Sequence, residues 1–298
     1  MKKVTILLLV MALLIMVPVH TAANDKVIVS SKSYTEPLLL GNMTVMLLKD
    51  AGIPVKDKVG LGPTSILRKA MKDGSIDLHW EYTGTVLTVI MKRDFIKNSE
   101  EAFQKVKKWD LKNNNYAWLD YAEANNSYCL VVREEWAKKQ DINSISDLAD
   151  YVKKNSNKAK IAVDMHFYER PDGLHGLEEK YNFKFRELNV VTMEIGLTYS
   201  ALKNKQVDIA MAYGTDGRIV AFDFRKLEDN KNFFPVYNPA PVIRKKMLKK
   251  YPQVETILQS LTTKLDTETL QDLNKRVDVD GESVNKVAED FLKKNGLL

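Results

Sequence analysis

Apolar and polar residues alternate along this chain in two ways, and each way predicts a different element. Beyond residue 24, short apolar runs alternate with segments in which apolar residues recur at helical spacing. In order, these features predict a strand at 26–32, a helix at 36–49, a strand at 55–61, a helix at 66–72 and a strand at 76–80. Such alternation is typical of a mostly parallel sheet with helices on its faces, so we expect an α/β fold.

A second series of the same kind follows a lysine-rich helix at about 100–109. It is expected to contain a buried strand at 127–133, a helix at 144–154, a strand at 158–164, a helix at 173–183 and a strand after 185. Three further helices are expected at about 254–264, 267–275 and 283–295. Because no strand series accompanies these three helices, we expect them to cap the first series.

One phrase of the sequence occurs twice. Residues 70–82 read AMKDGSIDLHWEY and residues 201–213 read ALKNKQVDIAMAY, so that Asp77 and Asp208 each lie five positions before a tyrosine. Each copy has the pattern of a helix end, a polar turn and a short strand that stops at the tyrosine. The repeat suggests two lobes facing a shared cleft, because ligands bind beyond the carboxyl ends of strands in open α/β sheets. Chance similarity between common helix–turn–strand units is the alternative.

The predicted elements divide the chain into two lobes. The first lobe is expected to comprise residues 24–127 together with 218–298, and the second residues 128–217. The chain would cross between the lobes twice, and prolines at 235, 239 and 241 mark an extended crossing segment. Two crossings form a hinge between rigid bodies, which is an arrangement suited to closing around a ligand.

The N-terminal residues predict export. Lys2 and Lys3 precede an apolar run at 6–17, which is shorter than the roughly 20 apolar residues that span a bilayer. We expect residues 1–23 to be a signal peptide cleaved near Ala23, and the mature protein to be periplasmic. The single cysteine, Cys129, lies far from that point, so neither a lipoprotein nor an internal disulfide is expected.

Composition and motif content argue against several functions. The 45 basic and 39 acidic residues give a net charge of +6, but the lysines are scattered and no nucleic-acid-binding signature is present. Beyond the signal, His79, His166 and His175 lack metal-ligand spacing, and no nucleophile motif occurs. We therefore expect no nucleic acid, no metal, no cofactor and no catalytic residue.

Tyrosines are the most informative candidates for ligand binding. Those at expected strand ends or crossings are Tyr82, Tyr128, Tyr199 and Tyr213. Aromatic faces around one cavity can hold a quaternary ammonium group, which has no N–H to donate, at about 0.5–2 kcal/mol per desolvated contact. Tyrosines also pack commonly at lobe interfaces with a wet hydroxyl, and position alone favours that interpretation.

Longer motifs connect these tyrosines to a known family. The motifs are SSKSYTEPLLLGNM, GLGPTSILRKAMKDGSIDLHWEYTGT, WLDYAEANNSYCLVVR, ERPDGL, GLTYSALKNKQVDIAMAYGTDGRI and PVYNPAPVI. Together they resemble the glycine betaine, choline and carnitine-binding proteins of osmoprotectant ABC importers, over essentially the whole chain after the signal. The resemblance implies a two-lobed, type II-like periplasmic binding protein fold. It also implies that Tyr82, Tyr128, Tyr199 and Tyr213 form a ligand cage.

The same resemblance implies a carboxylate site formed by Lys32, Thr85 and Arg170, whose charges and hydroxyl suit an anion. Some choline-selective relatives have an acidic residue at the position of Thr85, so Thr85 favours a zwitterion. We expect a monomeric, non-enzymatic binding protein that captures glycine betaine and delivers it to an ABC importer permease. A choline- or carnitine-preferring protein of the same class is the alternative, and an exported enzyme that uses the cleft is a more distant one.

Overall fold

The computed structural model describes residues 26–155, 158–170 and 172–298. The predicted signal peptide at 1–23 therefore lies outside the described residues. Among the helices that are described, none combines the length and the apolarity needed to cross a membrane.

The described residues form ten strands and fourteen α-helices. The strands are β1 (Val27–Ser30), β2 (Val55–Lys58), β3 (Leu78–Tyr82), β4 (Tyr116–Trp118), β5 (Tyr128–Arg133), β6 (Ile161–Val163), β7 (Val190–Thr192), β8 (Ile209–Tyr213), β9 (Phe224–Lys226) and β10 (Pro239–Arg244). The helices are α1 (Thr35–Asp50), α2 (Thr64–Asp73), α3 (Thr83–Thr85), α4 (Ser99–Asn114), α5 (Glu134–Gln140), α6 (Ile145–Lys154), α7 (Met165–Glu169), α8 (Leu174–Tyr181), α9 (Ile195–Lys203), α10 (Arg218–Ala221), α11 (Lys245–Lys250), α12 (Gln253–Thr262), α13 (Thr267–Asp278) and α14 (Val284–Lys294). A π-helical turn (Val86–Ile90) continues α3, and a 3-10 turn (Glu187–Asn189) precedes β7.

Several helix ends follow from local chemistry. Ser144 begins α6 with a capping box, in which its hydroxyl accepts from the Asp147 N–H and the Asp147 carboxylate accepts from the Ser144 N–H. Gly74 ends α2 at φ +81°, a left-handed conformation that glycine adopts without a Cβ penalty. Both capping residues can be recognised in the sequence, and the helices predicted at 144–154 and 66–72 are confirmed as α6 and α2.

The strands form two five-stranded sheets with the same plan, in the orders β2-β1-β3-β10-β4 and β7-β6-β8-β5-β9. In each sheet four strands run in one direction, and the strand next to the sheet's edge strand β4 or β9 runs against them. Those opposed strands are β5, which enters the second lobe, and β10, which returns to the first. The predicted two-lobed, mostly parallel α/β fold is confirmed.

The repeated phrase reflects the same local structure in both lobes. Asp77 precedes β3 and accepts from the Ile28 N–H at 3.0 Å, while Asp208 precedes β8 and accepts from the Lys160 N–H at 3.0 Å. In each lobe this carboxylate ties the strand that ends in the repeated tyrosine to the start of the neighbouring strand. The repeat is therefore structural, and it delivers Tyr82 and Tyr213 to equivalent strand ends.

The expected lobe boundary at 217/218 is corrected by the second sheet. Strand β9 pairs with β5, and Leu227, Phe233 and Phe234 are buried in the second lobe's core. The second lobe therefore continues to about residue 234, and the return crossing occupies 235–238. Strand β9 has only a weak sequence signal, because it has three residues and no alternating pattern.

The proline-rich segment after the crossing is more regular than expected. Pro239 and Pro241 belong to β10, an internal strand, although proline cannot donate to a ladder. Their carbonyls accept from the N–H groups of Ala122 and Leu119, beyond the end of β4. The strand edge on which the two prolines lack an N–H therefore still forms hydrogen bonds, because the proline carbonyls on that edge accept from Ala122 and Leu119. Strand β10 can for this reason lie inside the sheet.

The three C-terminal helices cap the first lobe, as expected. Leu270 and Leu273 of α13 and Leu292 of α14 join Leu39 and Leu40 of α1 in one buried cluster. This packing fixes α13 beside the end of α1, where the two helices border the cleft between the lobes.

Candidate ligand-binding site

A cavity of about 570 Å³ lies between the lobes, beyond the ends of β3 and β8. Both lobes and both crossings contribute to its walls. Five tyrosines line it, together with Thr85, Arg170 and Glu36. This is the position at which open α/β sheets bind ligands.

The tyrosines are Tyr34, Tyr82, Tyr128, Tyr213 and Tyr237. Tyr128 and Tyr213 are register partners on β5 and β8, with ring centroids 5.4 Å apart and planes inclined by 32°. Tyr237, on the return crossing, meets Tyr128 edge to face at 6.5 Å. Burial raises the pKa of all three of these phenols, so the rings stay neutral in physiological conditions.

Three of the four tyrosines predicted from the sequence therefore lie in the cavity wall, and Tyr199 does not. Tyr199 is completely buried on α9, and its hydroxyl accepts from the Tyr213 N–H at 3.0 Å. The Arg218 guanidinium carbon lies 5.1 Å from its ring centroid. The structure thus places Tyr199 behind Tyr213, where it holds the end of β8.

Sequence reasoning missed Tyr34 and Tyr237. Tyr34 immediately precedes α1 and is 48% exposed, and Tyr237 lies between the two lobes on the crossing. Both belong to motifs that carry the family resemblance, SSKSYTE and PVYNPAP. Tyr34 lies two residues beyond the predicted strand at 26–32, whereas Tyr237 lies inside the predicted crossing segment, where the criterion of strand ends and crossings could have found it.

Arg170 lines the cavity in a fixed orientation. Its Nε and Nη2 donate to the two oxygens of the Asp172 carboxylate at 2.7 Å each, and Nη2 also lies 3.2 Å from the Tyr237 hydroxyl. The carboxylate raises the pKa of Arg170 further above its usual value. Its Nη1 forms no hydrogen bond with the described residues, so this nitrogen is available to a ligand. Thr85 ends α3 and faces the same cavity.

Lys32 lies behind the wall rather than in it. The side chain is buried, and its Nζ donates to Glu81 Oε1 at 2.7 Å and lies 4.7 Å from the Tyr82 ring centroid. Burial pushes the pKa of Glu81 upward, but the Lys32 ammonium and His79 outweigh it and hold that pKa well below its usual range. The positive charge of Lys32 is therefore engaged within the first lobe.

Glu36 was not predicted as a site residue. It lies in the first turn of α1, is 2% exposed and reaches the cavity. The Tyr82 hydroxyl donates to its Oε1 at 2.6 Å, and the Asn274 amide donates to its Oε2 at 3.1 Å. Across the described residues, no group of three or more His, Cys, Asp or Glu side chains could hold a metal ion.

Comparison with known proteins identifies the family of the chain. A family model described as the substrate binding domain of the ABC-type glycine betaine transport system matches residues 25–294. The chain is 37% identical over 295 residues to the glycine betaine-binding protein YehZ of Escherichia coli, which covers 97% of this chain and 96% of that protein. The solved apo structure of YehZ covers 92% of this chain and all of its own, at 36% identity and a TM-score of 0.80.

Two other relatives are named for ligands other than glycine betaine. The carnitine transport binding protein OpuCC of Listeria monocytogenes is 34% identical over 277 residues, covering 92% of this chain and 88% of that protein. The ergothioneine transport permease/ergothioneine binding protein EgtU of Helicobacter pylori is 34% identical over 295 residues, covering 99% of this chain and 52% of that protein. On the family match and these identities, the chain belongs to the substrate-binding proteins of ABC-type glycine betaine transport systems.

Proposed function

We propose that this protein captures a quaternary-ammonium compatible solute, with glycine betaine as the expected ligand, and delivers it to the permease of an ABC importer. One observation carries the proposal: five tyrosines from both lobes and the return crossing face a single cavity. Family membership supports it, because transport relatives share this fold and over a third of the sequence.

The tyrosines suit the cationic end of such a ligand. A quaternary ammonium group cannot donate a hydrogen bond, so ring faces and shape must hold it, at about 0.5–2 kcal/mol per desolvated ring. The proposed cage consists of Tyr34, Tyr82, Tyr128, Tyr213 and Tyr237. Tyr199 supports Tyr213 from behind instead of touching the ligand.

Arg170 and Thr85 suit the carboxylate. Asp172 holds the guanidinium in one orientation and leaves Nη1 for a ligand oxygen, while Thr85 offers a hydroxyl on the first-lobe side. Lys32 is left out of the proposed anion site because Glu81 engages its ammonium group. A ligand bound in this way would contact both lobes, so binding would favour the closed arrangement.

Choline and carnitine remain the alternative ligands. Choline has no carboxylate and would not need Arg170, whereas carnitine and ergothioneine carry both a trimethylammonium group and a carboxylate. The relatives named for carnitine and ergothioneine make both molecules necessary members of a test panel.

Isothermal titration tests the proposed function. The chain from Asn24 onward should bind glycine betaine more tightly than choline, with no binding of proline. Tyr213→Leu should lower the affinities for both betaine and choline by about tenfold or more, because one ring of the cage is lost. Arg170→Met should lower the affinities for betaine and carnitine by a similar factor and leave the affinity for choline within about threefold of the wild-type value.

Arg186→Met is the matched control, because Arg186 is exposed on the second lobe outside the cavity. It should leave every affinity unchanged. Equal losses for choline and betaine in Arg170→Met would contradict the carboxylate assignment. Recovery of chemically altered ligand, followed by NMR, would instead favour the exported enzyme.

A further inference from the structure

Glu36 is a buried acid in the cavity wall that has only neutral partners. Its Oε1 accepts from the Tyr82 hydroxyl at 2.6 Å and from the Asn126 amide at 3.3 Å, and its Oε2 accepts from the Asn274 amide at 3.1 Å. These donors come from β3, from the first crossing and from α13. Three separate segments therefore aim the carboxylate at the cavity.

Most other buried acids in the described part of the chain have a base nearby, and the exception, Asp164, caps helix α7 by accepting from the Phe167 N–H. The closest pairs, each at 2.7 Å, are Glu81 with Lys32, Asp110 with Arg68 and Asp172 with Arg170. Glu36 forms no ion pair with any residue of 26–155, 158–170 or 172–298. Its charge is thus uncompensated by the protein that the structure describes.

An unpaired buried carboxylate is costly, since the charged form loses its hydration without gaining a cation. Burial accordingly raises the pKa of Glu36, although hydrogen bonds from Thr215, Tyr82 and the two asparagine side chains oppose that rise. A glutamine would avoid the cost of a buried charge, with one amide oxygen to accept hydrogen bonds in place of the two carboxylate oxygens. The position of the charge in a cavity wall therefore indicates a cation that arrives from outside.

We infer that Glu36 is the counter-charge for the ligand's quaternary ammonium group, and that it makes the site prefer a cation to a neutral group of the same shape. The inference rests on the proposed function and adds to it a residue that selects for charge. Tyr82 belongs to the tyrosine cage and also contacts Glu36, because its ring lines the cavity while its hydroxyl donates to the Glu36 carboxylate. The tyrosine rings would define the shape of the cation site, and Glu36 would supply a full negative charge.

A neutral carbon isostere separates charge from shape. In 3,3-dimethylbutanoate a tert-butyl group replaces the trimethylammonium group of glycine betaine, and the carboxylate is kept. Both ligands are titrated by calorimetry into the wild type, Glu36→Gln and Glu255→Gln. Glu255 is an exposed acid on α12 outside the cavity, so its variant controls for the change in net charge.

The wild type should bind betaine at least tenfold more tightly than the isostere. Glu36→Gln should shrink this ratio by about tenfold or more through weaker betaine binding, while the isostere binds as well or better. Glu255→Gln should keep the wild-type ratio. An unchanged ratio in Glu36→Gln would overturn the inference and assign Glu36 a purely structural role.

A second readout does not depend on the variant. If the wild type binds betaine and the isostere equally, no counter-charge operates and the inference is wrong while the proposed function stands. If the wild type binds none of betaine, choline and carnitine, the proposed function itself fails. Thermal unfolding verifies the fold of Glu36→Gln, which should unfold at the wild-type temperature or above because an uncompensated buried charge has been removed.

Discussion

At the scale of single residues, the pair of Lys32 and Glu81 separates a structural role from a binding role. Lys32→Met leaves the buried Glu81 carboxylate without its cation, and loss of one partner of a buried pair costs about 3–5 kcal/mol. We therefore expect a large fall in the free energy of unfolding, measured by urea titration. Betaine affinity of the remaining folded protein should stay within about threefold of the wild type.

The double variant Lys32→Met/Glu81→Gln is the control, and it should recover most of the lost stability. Because the pKa of Glu81 is lowered in the folded state, the contribution of the pair is complete above about pH 4.5 and disappears as the pH falls towards the folded pKa. Stability should depend less on pH in that acidic range in the double variant. A large loss of betaine affinity with normal stability in Lys32→Met would return Lys32 to the carboxylate site that the family resemblance implies.

At the scale of elements, Tyr199 connects helix α9 to the end of strand β8. Its hydroxyl accepts from the Tyr213 N–H, so Tyr199→Phe leaves a buried backbone donor without a partner. Such a loss costs about 1–3 kcal/mol. We expect a lower unfolding temperature in differential scanning calorimetry, together with a small loss of betaine affinity through the displaced Tyr213.

Tyr151→Phe is the matched control, since the Tyr151 hydroxyl forms no hydrogen bond with the described residues and its ring packs on Trp136. It should leave both readouts near the wild type. Tyr199→Leu distinguishes support from direct contact. If it abolished betaine binding while Tyr199→Phe had no effect on stability, the ring would belong to the cage.

Elements with local signals could be predicted, and those that depend on distant partners could not. Ser144, Gly74 and the repeated phrase that ends at Tyr82 and Tyr213 mark helix ends and strands by short-range chemistry. Strand β9 has three residues, and β10 contains prolines whose tolerance depends on donors more than a hundred residues away. The partners of Lys32 and Glu36 lie 46 to 238 residues away in sequence, so the opposite roles of these two residues became visible only in the folded chain.

At the scale of the whole molecule, helix α13 of the first lobe holds the loop after β8 of the second. The Gln271 amide donates to the Gly214 carbonyl at 2.7 Å, and the Asn274 amide donates to the Thr215 carbonyl at 2.8 Å. Asn274 also donates to Glu36, so the lobe contact and the acidic wall share one side chain. These contacts directly follow Tyr213 and should contribute to the stability of the closed arrangement.

Gly217 tests this contact because a larger residue cannot be accommodated there. A Cβ on Gly217 would lie 2.2 Å from the Lys275 backbone nitrogen of α13, so Gly217→Ala must separate the two lobes locally. Closure is a step that the binding of every ligand requires. The affinities for betaine, choline and carnitine should therefore all fall by one common factor of about tenfold or more, measured by calorimetry. Small-angle scattering with saturating betaine should give a larger radius of gyration than for the wild type.

Gly196→Ala is the control, since a Cβ there meets no atom closer than 4.0 Å and its backbone conformation suits alanine. It should bind and close like the wild type. The pattern of losses identifies the cause: substitutions of the cage or of Arg170 change the ranking of ligands, whereas a hindered closure preserves it. A changed ranking in Gly217→Ala, with a normal radius of gyration, would mean that α13 shapes the site and does not control how the lobes meet.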